Sequence, residues 1–468
     1  MRKLNGKKLL ACGLCMSMVF SMAACGKKTD SPTGGTAAGT TAAAGGTQEQ
    51  AGSAAEPAQT EAAYPDKVTE PITIQFWHTM GSGANGTYID EAMAAFNSSN
   101  EYGITIEGTY AGSYAEVLSK TSTAIAAQDA PTLVVAASGG IPILADQGIL
   151  ADLSGYIARD GVDMSNFAGG MTDFCYFGDK IVSMPLNRST AVFAYNKTLW
   201  DEMGLEPPTD IQDLAVKAAK ITEAHPDIYG FGVHIDAFYF QEALVRSLGS
   251  EGLIAANGNA PASLDDGNFE KVLTDWLNWV NAGWCFPPAV TSAEGTAKEM
   301  LYNKQLASMF VSCGGLRNMI NYSNEAGIEL GVSYMPVYGG YGSNGGGGNI
   351  CVIGKDHTQQ EIAAAWEFIK FLETDEWAAK RAADTGYLPV TYSATETDTI
   401  QNLWKESPHY KTAFDQLEYC KDANWSLYQS EWNQYLKQAM SYVIQDFSMT
   451  PAEAVEYLKE QAAIIFPQ

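Results

Sequence analysis

Apolar positions in the body of the chain follow two periods in turn. Ile72, Ile74 and Phe76 fall at every second residue, the pattern of a half-buried strand; Ile89, Met93 and Phe96 then recur at helical spacing. Residues 104–110 read as a second strand, 114–127 as a second helix and 132–137 as a short buried strand. This β-α-β-α-β order predicts an α/β protein built on an open, mainly parallel sheet with helices on both faces. Further strands are expected at 180–186 and 191–195. Between them lies a polar knot of Asn187, Arg188, Ser189 and Thr190, with apolar runs on either side.

Past the knot the pattern shifts to longer helices, at 211–224, at 269–282 with Val272, Trp276 and Trp279 in helical register, and at 293–303. Strands are expected at 306–312 and 330–337. A glycine-dense stretch over 338–349 leads into a strand at 350–354 and an amphipathic helix at 360–372. Residues 400–466 read as helical, and Thr450-Pro451-Ala452-Glu453 has the form of an N-cap followed by proline at the first helical position. A body of this length exceeds one comfortable hydrophobic core, so two lobes are expected.

The N-terminal segment changes the picture by giving the protein a place. Arg2, Lys3, Lys7 and Lys8 precede an apolar run at 9–20 that is too short to span a bilayer. The run closes on Ser21-Met22-Ala23-Ala24-Cys25, which resembles a bacterial lipobox. Residues 1–24 are therefore expected to be a signal peptide, with Cys25 lipidated. Residues 25–66, rich in Gly, Thr, Ala and Ser, cannot bury enough surface to offset ordering and read as a flexible linker. Its reach is roughly 35 Å. The expected location is extracytoplasmic, on the outer face of the cell membrane, with the lipid as the anchor.

Charge and chemistry narrow the function. The chain has 28 Lys and Arg against 54 Asp and Glu, and loss of the basic signal leaves a net charge near −30, a poor surface for nucleic acid. Cys175, Cys285, Cys313, Cys351 and Cys420 are five, an odd number, widely spaced, with no CxxC pair. No HExxH, GxSxG or phosphate-loop pattern occurs, and no catalytic residue, metal or cofactor is expected. Where loops leave strands the chain instead offers aromatic faces, at Trp77, Tyr114, Phe238, Tyr239, Tyr387 and Trp425, and hydroxyls at Ser138, Ser189 and Ser312. A secreted carbohydrate-active enzyme would need a carboxylate pair across a cleft, and a structural surface protein would lack a polar, aromatic-lined cleft.

Five stretches in order carry a resemblance: PITIQFWHTM, AGSYAEVLSKTSTAIAAQDAPTLVV, MPLNRSTAVFAYNKTLWDEMGL, LASMFVSCGGLRNMI and DTGYLPVTYSA. Together they resemble the extracellular solute-binding proteins of ABC importers, in their large carbohydrate-binding family, and within it the glycerol-3-phosphate-binding branch. The resemblance implies a two-lobed, periplasmic-binding-protein-like α/β fold, each lobe an open, mainly parallel sheet flanked by helices, joined by crossover segments. It implies lobes of 67–188 with 338–395 and 189–337 with 396–468, with ligand held between them and the polar knot at the hinge.

The same resemblance implies ligand contacts at Tyr114, Ser189, Ser312, Gly347 and Tyr387. Three positions depart from the branch. Ser138 stands where a ligand carboxylate is expected, Ile235 near an expected tryptophan beside Phe238 and Tyr239, and Gln434 near the expected phosphate-pairing arginine. Losing that guanidinium removes a strong planar contact to phosphate. A neutral sugar or oligosaccharide is therefore implied ahead of glycerol-3-phosphate or a glycerophosphodiester, and Arg188 is the cation left to serve an anionic ligand. The implied partner is an ABC permease, with the binding protein itself a monomer.

Overall fold

The computed structural model describes residues 68–235, 238–289 and 292–467, apart from the side chains of Phe238 and Tyr239. The expected signal peptide, the lipidated Cys25 and the linker to residue 66 lie outside the described residues, as do the Phe238 and Tyr239 side chains expected at the ligand. The three strands expected first form as β1 (Ile72–His78), β2 (Ile104–Tyr110) and β3 (Leu133–Ala137). They pair in parallel in the order β2-β1-β3. Ile74 and Phe76 alternate into the core with no exposure, which stabilises by about 1.5–3 kcal/mol per side chain. The connecting helices, Ala84–Ser99 and Tyr114–Ala126, bury Ile89, Met93 and Phe96 from the one and Val117 and Ile125 from the other.

The polar knot departs from expectation. It is the middle of one continuous strand, β4 (Met184–Asn196), and all thirteen residues are buried. Its backbone finds ladder partners that the local pattern does not reveal. The first half pairs antiparallel with β9 (Gly345–Val352), and the second half pairs antiparallel with β7 (Ser308–Ser312) and with β8 (Leu330–Tyr334). The glycine-dense stretch is likewise strand over 345–349, because the glycines lie against β4. The strand expected at 180–186 is split: Lys180–Ile181 forms a small hairpin with Tyr176–Phe177, and residues 184–186 begin β4.

Two short parallel strands, β5 (Phe231–Gly232) and β6 (Cys285–Phe286), complete a sheet ordered β2-β1-β3-β9-β4-β7-β5-β6, with β8 added beside β4. Two parallel patches are thus joined through antiparallel crossing strands. Side-chain alternation along β4 serves two cores: Val192 and Ala194 pack with Ile74, Phe76, Trp366 and Phe368, whereas Phe193 and Tyr195 pack with Trp200, Phe231, Trp276 and Trp432. The C-terminal helices pack on the second core, and Thr450 caps Pro451–Ile465 with the expected proline and a full capping box. Cys175, Cys285, Cys313, Cys351 and Cys420 are all free thiols. No helix among the described residues is long and apolar enough to cross a membrane.

A buried ion pair beneath the first core sets a pH dependence. Arg381, fully buried, lies 3.6 Å from Glu373, and burial pushes the Glu373 carboxyl up to about 7 against the pull of that guanidinium. A carboxyl raised on folding binds a proton more tightly in the folded state, so its stabilising contribution is complete below about pH 4 and is lost as pH rises through about 7. The melting temperature of Glu373→Gln is therefore expected to fall less than the parent's between about pH 5.5 and pH 8. A steeper fall in the variant would contradict this.

Candidate functional site

Three passes of the chain meet at the crossing point. β4 enters through Asn187–Arg188–Ser189, facing Gly348, Gly347 and Gly346 of β9 in register, and a third pass runs through residues 417–424. Ser343 stitches them together. Its hydroxyl bonds both Ala191 N–H and Ala191 C=O at 3.0 and 2.9 Å, and its backbone bonds Tyr419 C=O and Lys421 N–H.

The glycines of β9 are required by contact. Gly347 has φ +85, and a Cβ there would sit 1.6 Å from the Asn187 carbonyl oxygen. A Cβ on Gly348 would lie 2.5 Å from the Tyr114 ring, and one on Gly345 would strike Asp422 and Arg188. Without side chains, the strand lets these groups close around its backbone.

Tyr114 is the first residue of its helix, fixed there by a capping box in which Ser113 and Glu116 bond each other's backbone N–H. The Tyr114 hydroxyl is enclosed and faces Thr79, Asn187 and Tyr387, with the Arg188 charge behind them, yet makes no well-formed hydrogen bond among the described residues. Burial pushes this phenol up, which keeps it neutral. Tyr387 lies with its ring against Gly314, and the next residue's N–H donates to the Arg188 carbonyl at 2.9 Å. Ser189 is buried opposite Gly346, and Ser312 ends β7 opposite Ala191, its hydroxyl accepting from Gly314 N–H.

Arg188 is 2 % exposed and its guanidinium reaches both oxygens of Asp422 at 3.3 Å, while lying over the Phe174 ring. Its Nε and Nη1 have no partner among the described residues. Burial pushes Asp422 up to about 6, with Arg188 and Arg246 opposing and Asp173 adding to the rise. Arg246 also donates to the Lys421 and Asp422 carbonyls, at 3.2 and 2.7 Å, and pairs with Glu242 at 2.9 Å. A crevice with room for about one water runs between Arg188, Ser189, Gly345, Leu388, Cys420 and Asp422. Asp422 is the one carboxylate among its lining residues. A larger hollow of about 500 Å³ opens on the outer surface beside Pro261–Asp266 and Lys459, with no aromatic ring in its wall.

The fold therefore brings Tyr114, Arg188, Ser189, Gly347 and Tyr387 around one crossing. Ser138 lies in the turn after β3, half-buried, beside Gly139, whose missing side chain leaves room for Gln429. Gln434 is exposed on helix Gln429–Ile444, whose Trp432 and Leu436 face the core. Sequence reasoning missed Thr79, Asn85 and Gln429, which carry enclosed polar atoms without partners. Neither Thr79, just past β1, nor Asn85, the second residue of its helix, carries a signal in the sequence.

Two parallel α/β patches joined by crossing strands, with polar and aromatic groups gathered at the crossing, define a two-lobed solute-binding architecture. The chain belongs to the bacterial extracellular solute-binding proteins, whose family model matches residues 91–412. It is 28 % identical over 366 residues to the sn-glycerol-3-phosphate-binding periplasmic protein UgpB of Escherichia coli strain K12, covering 74 % of this chain and 80 % of that one. Among solved structures it is similar to UgpB of Mycobacterium tuberculosis in complex with glycerophosphocholine, with TM-score 0.75, 18 % identity, and coverage of 85 % of this chain and 98 % of that one. It is also similar to the GacH receptor of Streptomyces glaucescens, solved unliganded and with acarbose, with TM-score 0.73, 18 % identity, and coverage of 84 % and 98 %. Maltose-bound MalE3 of T. maritima gives TM-score 0.73 at 17 % identity, covering 84 % of this chain and all of that one. The E. coli relative is named as a binding protein and the Streptomyces one as a receptor, and the chain is the solute-binding component of an ABC importer.

Proposed function

We propose that the protein is lipid-anchored through Cys25, captures an uncharged carbohydrate at the crossing of its two lobes, and delivers it unaltered to an ABC permease as a monomer. The lobes are taken as 67–188 with 338–395 and 189–337 with 396–468; β4 changes partners two residues past the first boundary, between Thr190 and Ala191. The observation that carries the choice of ligand is the Arg188–Asp422 pair. The cation beside Ser189 already has an internal counter-ion, so a ligand phosphate would have to compete with a buried carboxylate for it. Tyr114, Ser189, Ser312, Gly347 and Tyr387 supply a ring face, hydroxyls and backbone instead, with Ser138, Phe238, Tyr239 and Gln434 as the further positions to probe. The reading is of a binder rather than an enzyme, and ligand contacting both lobes favours their closed arrangement by its differential affinity.

A second reading, glycerol-3-phosphate or a glycerophosphodiester as ligand, draws support from the names of the E. coli and M. tuberculosis relatives. A thermal-shift screen over mono- and oligosaccharides, polyols, glycerol-3-phosphate and glycerophosphocholine separates the two. The carbohydrate reading expects the largest rise in melting temperature with a neutral sugar. A rise confined to the phosphate compounds would replace it with the second.

A further inference from the structure

We infer that Thr79, Tyr114 and Asn187 form one hydrogen-bonding subsite that grips a pair of neighbouring hydroxyls on the ligand. The inference rests on the carbohydrate reading above and adds its recognition chemistry. Asn187 is wholly buried in the middle of β4, and neither its amide oxygen nor its amide nitrogen has a partner among the described residues. Exchanging the two atoms of the amide changes nothing, because both are orphaned. The Thr79 hydroxyl, just past β1, and the Tyr114 hydroxyl, at the start of the second helix, are enclosed and orphaned in the same way. Thr79 and Asn187 both come within hydrogen-bonding reach of the Tyr114 hydroxyl but at poor geometry, so three separate parts of the chain deliver incompletely satisfied polar groups to one place. Buried polar atoms are nearly always hydrogen-bonded, and three orphans meeting at one point call for a common partner.

The donor and acceptor inventory selects that partner. Asn187 offers two donors and a carbonyl acceptor, and each hydroxyl offers one donor and two lone pairs. Ligand hydroxyls both donate and accept, so two of them can satisfy the amide and the hydroxyls together. A phosphate dianion only accepts. Seated here it would leave the Asn187 oxygen facing acceptors, with the neighbouring Arg188 held by Asp422, so the subsite takes the hydroxyl-bearing part of a ligand. The bare backbone of Gly347 and Gly348 against Asn187 and Tyr114 keeps the subsite narrow.

Isothermal titration of the mature protein with glucose, maltose, maltotriose, cellobiose, sucrose and glycerol-3-phosphate tests this, using Asn187→Ala, Asn187→Asp and Tyr114→Phe. For the tightest neutral sugar, Asn187→Ala and Tyr114→Phe are each expected to weaken binding roughly 10- to 100-fold, and Asn187→Asp at least as much. A deoxy analogue of that sugar lacking the contacted hydroxyl should lose no further affinity in Asn187→Ala. The melting temperature of ligand-free Asn187→Ala should match or exceed the parent's, because removing an orphaned amide relieves the empty protein. A lower melting temperature with unchanged sugar affinity would overturn the subsite and leave the carbohydrate reading in place. Binding of glycerol-3-phosphate alone, or of no probe at about 10 mM, would overturn the reading beneath it.

Discussion

Replacing Asp422 by alanine is expected to lower the unfolding free energy by about 3–5 kcal/mol at about pH 7.5, because it strands the Arg188 charge in a position that is 2 % exposed. Urea unfolding followed by circular dichroism reads the change. The loss should shrink at about pH 5, where Asp422, pushed up to about 6, already carries its proton in the folded protein. The double variant Arg188→Met with Asp422→Leu should recover most of the loss, since two apolar groups of similar volume remove both charges together. A change below about 0.5 kcal/mol for Asp422→Ala would mean that water or an ion reaches Arg188, and the internal counter-ion would no longer account for ligand choice.

Gly347→Ala is expected to be at least as damaging. The new methyl would have to occupy the place of the Asn187 carbonyl oxygen, 1.6 Å away, at φ +85. Neither backbone can yield without breaking the β4–β9 ladder at the crossing, and a loss on the order of 4 kcal/mol or failure to fold follows. Gly339→Ala is the control: its φ is +75 but nothing lies within 4 Å, so only the left-handed conformation is penalised, at about 1–2 kcal/mol. Equal losses in the two variants would show that φ alone matters and that the close approach to Asn187 does not.

The elements with local signals could be read from the chain. Ile72, Ile74 and Phe76 alternate, Ile89, Met93 and Phe96 repeat at helical spacing, and Thr450 with Glu453 forms the cap its spacing promised. The crossing was not legible in the same way. Asn187 to Thr190 look like a loop because buried strands seldom carry four polar residues in a row, and their ladder partners are glycines more than 150 positions away. The run 345–349 has no side-chain alternation at all, so no period can mark it as a strand. Arg188 was recognised as the notable cation, but Asp422 lies 234 residues further on. Thr79 was overlooked because a threonine past a strand end carries no signal until Tyr114 and Asn187 stand beside it. The resemblance supplied Tyr114, Ser189 and Tyr387 together, and the fold gathers them; it supplied no partner for Arg188.

The central claim is capture without conversion, and equilibrium dialysis of the mature protein against the sugar with the largest thermal shift tests it most directly, with the sugar on both sides identified by chromatography and mass spectrometry. One equivalent of excess sugar is expected on the protein side, chemically unchanged after prolonged incubation. A hydrolysed or transferred product, or no excess on the protein side, would contradict it.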